Sequence, residues 1–198
     1  MMQLPCRDIA SPASGRDKSS RLGCWIVCLA LALGAWSCHA DAPAPTEYEV
    51  KAAFLFNFAQ FVEWPSQSFA ATNAPLTIGI VGDDPFGDLL DGLIKDERVA
   101  AHPLVVKRFG AGAAPGACQI LFVSRSEKDR LPALLGSMKE RPILTVGESE
   151  QFNERGGMIR FLMEDGKVRF EINPRAAERA GLRLNSNLLR VARIVQER

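Results

Sequence analysis

Four short apolar runs recur along the chain with helical stripes between them, and this alternation restricts the fold more than any other feature. The runs are residues 76–82 (LTIGIVG), 104–109 (LVVKRF), 118–123 (CQILFV) and 143–147 (ILTVG). Between the first two, Phe86, Leu89, Leu90 and Leu93 fall at i, i+3, i+4 and i+7, the spacing of an amphipathic helix. Asp84 is its expected N-cap and Pro85 its first helical residue. Between the last two runs, Leu131, Leu134, Leu135 and Met138 form a second stripe, preceded by a Ser124–Glu127 capping-box pattern. Pro132 leaves two readings of its start, a separate single turn or a kink. Strand–helix–strand repeats need crossover connections. The expected fold is therefore α/β, with layered helices packed on a mainly parallel sheet. The third run lacks alternation and is expected to be buried on both faces.

Residues 157–173 read as a C-terminal β-hairpin turning at Asp165-Gly166, a type I′ signal. Counting back from the turn pairs Met163 with Val168, Phe161 with Phe170 and Ile159 with Ile172 on one apolar face. The other face pairs Glu164 with Lys167 and Arg160 with Glu171, opposite charges in register. Asn173-Pro174 then caps a short helix that stops at Gly181. Ser186 opens a last helix with Leu188, Val191, Ala192 and Val195 on one stripe, and Arg190 and Arg193 on its solvated face.

Residues 47–63 read as a long helix with Thr46 as N-cap, ended by Trp64-Pro65. Val50, Phe54, Leu55, Phe58, Phe61 and Val62 share one arc. Two residues break the pattern. Lys51 falls in the apolar arc, and Phe56 falls in the polar one, where it is either covered by another element or part of a contact surface.

Upstream, residues 1–21 are polar and carry Arg7, Arg16, Lys18 and Arg21. A run of 15 apolar residues, 22–36, follows and ends in Ser37-Cys38-His39-Ala40. This is the pattern of a secretory signal, too short for an ordinary membrane span. Residues 1–40 are expected to be a signal peptide, 41–46 a flexible leader, and 47–198 one domain. A retained N-terminal anchor is the alternative. A lipoprotein reading through Cys38 is weaker, because Ala35 and Trp36 suit a lipobox poorly. Cleavage after Ala40 removes four basic and two acidic residues and takes the formal charge from +1 to −1. It also removes Cys6, Cys24, Cys28 and Cys38, so Cys118 remains, within an apolar strand, as a buried thiol.

Catalytic chemistry is poorly represented. With one His and one Cys after residue 40, imidazole and thiolate metal sites and nucleophilic triads lack their parts. His102, beside Pro103, reads as a surface-loop residue. There is no Walker loop or G-x-G-x-x-G. Asp83-Asp84 follows a strand as in a Mg²⁺-binding phosphoreceiver, but the third run ends in Val-Ser-Arg with no acceptor Asp. Near-neutral charge gives no footprint for nucleic acid. The expected protein is a non-enzyme that needs no cofactor or metal and binds something.

Four stretches carry a resemblance when taken together: residues 50–65 (VKAAFLFNFAQFVEWP), 76–88 (LTIGIVGDDPFGD), 156–173 (GGMIRFLMEDGKVRFEIN) and 182–195 (LRLNSNLLRVARIV). Residues 141–148 (RPILTVGE) add to them. In order and spacing they resemble the YfiR family of bacterial periplasmic proteins, over residues 46–195. The resemblance implies a periplasmic regulator that forms homodimers. It would bind the periplasmic part of an inner-membrane diguanylate cyclase and keep that enzyme inactive, so lowering cyclic di-GMP and biofilm formation. Paired cysteines found in some family members are missing here, so an intramolecular redox switch does not carry over. Candidate partner contacts are Glu171 and Asn173 at the end of the hairpin, with Phe56 as a third. Glu171 is also, more simply, the partner of Arg160, and Asn173 the cap of the next helix. The alternative is a small-ligand sensor feeding another receptor such as a histidine kinase, with a cleft at the strand ends near Gly82-Asp83 and Ser124-Arg125.

Overall fold

The computed structural model describes residues 44–195, so the signal segment and most of the leader lie outside the described residues. Thr46 opens α1 (Glu47–Phe61) with a capping box. Its hydroxyl accepts from Glu49 N at 3.3 Å, and the Glu49 carboxylate accepts from Thr46 N at 2.6 Å. The helix stops at Phe61, two residues earlier than expected. Val62–Glu63 (β1) turns extended and pairs antiparallel with Arg183–Leu184 (β9), while Asn185 N donates to Phe61 O at 2.9 Å. A long-range partner thus takes over the backbone groups that the helix would have used.

The sheet is built on five parallel strands: β2 (Leu76–Val81), β4 (His102–Phe109), β5 (Ile120–Val123), β6 (Leu144–Gly147) and β7 (Ile159–Glu164). They lie in the order β4-β2-β5-β6-β7. Numbered by appearance this is 2-1-3-4-5, a doubly wound order with its switch point between β2 and β5. β3 (Arg98–Val99) adds antiparallel outside β4. On the other side follow β8 (Lys167–Ile172), antiparallel to β7, and β10 (Arg193–Ile194), parallel to β8. The α/β architecture with a mainly parallel sheet is as expected. So is the hairpin: all five paired positions fall in the predicted register, and Asp165 and Gly166 have φ of 52° and 70°, as a type I′ turn requires.

Two apolar clusters form. One includes α1, α2 (Asp88–Ile94) and the inward side chains Ile78, Ile80, Phe122 and Phe161. The other joins α3 (Leu131–Met138) to Val81, Leu121 and Val123. Alternate residues of β2 and β5 feed different clusters, so both strands are buried on both faces, as the uninterrupted apolar run of β5 predicts. Cys118 lies in the second cluster, and burial pushes its thiol pKa up to about 11.

Several local expectations are corrected. Asp84 accepts from Phe86 N at 2.8 Å in a turn ahead of the helix, and Gly87 (φ 52°) is the N-cap of α2. Phe86, Leu90 and Ile94 are buried while Leu89 and Leu93 are exposed, because so short a helix buries one narrow i, i+4 row. His102 begins β4 rather than a loop. The β3–β4 hairpin recruits it, its ring stacks on Phe69 at 3.8 Å, and its Nδ1 lies 2.6 Å from Ala74 O. Arg125–Glu127 forms a separate 3₁₀ turn before α3, which settles the Pro132 ambiguity. The Glu127 carboxylate accepts from Gly112 N (3.1 Å) and pairs with Arg130 (2.7 Å). The last helix, α5 (Ser186–Val191), is short. After it the chain crosses to the sheet as β10, leaving Val191 67% exposed and placing Arg193 on the edge strand. The open edge of β8 draws it there, as Val195 N donates to Ile172 O at 2.9 Å. Between them, α4 (Pro174–Arg179) is capped by Asn173 and ends before Gly181 at φ 76°, as expected.

Candidate functional site

Lys51 explains its own misplacement in the apolar arc of α1. Its ammonium is buried and donates to Glu47 Oε1 at 2.5 Å and to Glu148 Oε2. It also sits 4.6 Å from the centre of the Tyr48 ring, a cation–π distance. Glu148 follows the last residue of β6, at the carboxyl end of the sheet. Its second oxygen, Oε1, accepts from the Tyr48 hydroxyl at 3.3 Å and lies 3.4 Å from Arg125 Nε. Burial raises the Tyr48 pKa above its usual 10.0, and the Glu148 charge pushes the same way. A buried charge demands such compensation.

Glu148 and Arg125 carry this network into the lining of a cleft. β6 stops at Gly147, opposite Arg160, while β7 runs on to Glu164, so the outer half of β7 stands as a wall. The turn and helix start after β5 supply the facing wall, with Arg125, Lys128 and Asp129. The cleft has a volume of about 620 Å³. A second hollow of about 550 Å³, above β2 and β5, shares Arg125, Lys128 and Glu148 with it and reaches Tyr48 and Asp83. The β6–β7 connection contains no helix, so nothing regular roofs the cleft. That connection is pinned by Phe152, fully buried over two glycines. A Cβ at Gly147 would lie 2.3 Å from its ring, and one at Gly157 2.2 Å.

The residues expected to touch a partner lie elsewhere on the hairpin and α1. Glu171 is largely covered, with Arg160 Nε at 3.6 Å and Arg193 Nη1 at 3.5 Å. Asn173 is 1% exposed. Its Oδ1 accepts from Ala176 N at 3.1 Å and its backbone N–H donates to Met158 O. Phe56 is half-buried and packs against the first cluster. Arg160 joins the two regions, because it lines the cleft and pairs with Glu171. Asp83-Asp84 does not form an acidic pair for a cation. Asp84 pairs with Arg108 at 2.6 Å, and Asp83 N donates to Ser126 Oγ at 2.9 Å.

Sequence reasoning located the strand ends at Ser124-Arg125 but missed Lys51, Tyr48, Lys128 and Glu148 as a cluster. Lys51 carried a signal, since a lysine inside an apolar stripe implies a buried acid. Glu148, after an apolar strand, was a candidate by position alone. The YfiR/HmsC-like family model matches residues 48–193, and the chain belongs to that family.

Proposed function

We propose that this protein is a periplasmic regulator that binds the periplasmic part of an inner-membrane diguanylate cyclase and holds it inactive, lowering cyclic di-GMP and biofilm formation. The observation that carries this reading is the family match over residues 48–193. Among the described residues, no helix is long and apolar enough to cross a membrane. A regulator outside the inner membrane acts by differential affinity for the off state. About 5.5 kcal/mol moves a two-state balance from 1:99 to 99:1. Glu171 and Phe56 are the proposed contacts, with Asn173 acting through the backbone it caps. A homodimer is the proposed active form.

Deletion of the gene is the test. Cyclic di-GMP should rise, and complementation with Glu171→Ala should restore repression less well than the unaltered gene. Unchanged cyclic di-GMP in a strain that carries a cognate cyclase would remove the reading. A second reading, a ligand sensor for another receptor such as a histidine kinase, is favoured by the cleft above β6. Capture of a kinase rather than a cyclase from membranes would select it.

A further inference from the structure

We infer that the cleft at the carboxyl end of β6 is a binding site for a small organic dianion, bearing carboxylate or phosphate groups. Its lining is cationic once internal pairs are counted. Arg125, Lys128, Arg155 and Arg160 face Asp129, Glu148 and Glu150; Glu148 is engaged by buried Lys51 and Arg160 by Glu171, which leaves three cations against two carboxylates. Arg125 is 64% exposed at its side chain and gives Glu148 only an Nε contact at 3.4 Å, so its terminal N–H fork is available to an anion. Lys128 makes no ion pair among the described residues. The same cleft is lined by Ser149, whose buried hydroxyl has no hydrogen-bond partner. Buried hydroxyls are rarely left so, and a χ1 rotation toward the cleft would let a ligand oxygen satisfy it. The place also fits: in doubly wound sheets ligands sit beyond the carboxyl ends of the strands, and Arg125 and Lys128, which follow β5, link this cleft to the hollow over the switch point. A volume of about 620 Å³ suits a small molecule. Because Arg160 also holds Glu171, an occupied cleft would compete for the guanidinium beside a proposed partner contact.

Titration calorimetry on the purified protein tests this, with inorganic phosphate and succinate as probes and sodium chloride at equal ionic strength as the control. Saturable binding of at least one probe is expected. Phosphate alone would assign a phosphate ester, succinate alone a dicarboxylate, and both a general dianion site. R125Q/K128Q should lower affinity at least tenfold, and Lys107→Gln, on distant β4, should leave it unchanged. If the double variant does not fold, Lys128→Gln alone should still weaken binding at least threefold. No saturable binding beyond chloride, or full affinity in the Lys128 variants, overturns the proposal. The measurement involves no cyclase, so its failure leaves the regulatory reading standing.

Discussion

Lys51 and Glu148, 97 residues apart in the chain, form an ion pair whose side chains are 1% and 2% exposed, tying α1 to the end of β6. Such a pair contributes little net stability when intact, but breaking one side is costly. The two sides are not equivalent. Loss of Glu148 leaves Lys51 with Glu47, whereas loss of Lys51 leaves Glu148 with a hydroxyl and a 3.4 Å arginine contact. Lys51→Met should cost about 3–5 kcal/mol in urea unfolding. Glu148→Gln should cost less, about 1–3 kcal/mol. Equal losses would contradict the asymmetry.

Cys118 should resist thiol reagents in the folded protein at pH 7.5 and react on unfolding, as judged by disulfide-exchange labelling with and without denaturant. Its pKa rises from 9.0 to about 11 because burial opposes the thiolate. Above pH 9 the unfolded chain loses a proton that the folded chain keeps. The contribution is therefore complete below pH 9 and is lost as pH climbs toward 11, on the order of 2–3 kcal/mol. Cys118→Ala should flatten this alkaline slope.

The hairpin turn offers a purely conformational test. Gly166 has φ 70°, and a Cβ there would meet nothing within 4 Å. Gly166→Ala should therefore cost about 1–2 kcal/mol from left-handed backbone strain alone. Asp165→Asn, at φ 52°, should be neutral or slightly stabilising in thermal melts.

Gly147→Ala should be worse than its single methyl suggests, since the new carbon would fall 2.3 Å from the Phe152 ring. Overpacking of this kind costs about 1–3 kcal/mol. Combining it with Phe152→Leu should cost less than the sum of the two single changes, a coupling that a double-mutant cycle reads directly.

What could be read from residues alone was what neighbours in the chain decide. The hairpin register follows from strict alternation around Asp165-Gly166, and the Thr46–Glu49 capping box from residues three apart. The stripe of α3 was legible because Leu131, Leu134, Leu135 and Met138 all meet one cluster. β1, β9 and β10 have two residues each, too few to show a period, and exist only because a distant edge accepts them. The site failed for the same reason. Lys51 was visible as an anomaly, but the buried acid that answers it beside Glu47 is Glu148, just past the end of a strand in another part of the chain.

The pairing of Val62 with Leu184 joins positions about 120 residues apart, and β10 closes the edge of β8 still later in the chain. Contacts of such high separation form late, because the intervening loop must first be closed. A chain emerging amino end first, whether from a ribosome or through a translocation pore, would hold β1 without its partner strand until residues 183–184 had emerged. Termination before residue 183 would therefore yield a product whose β1 has no partner strand at the carboxyl end of α1, an exposed edge open to proteolytic clearance.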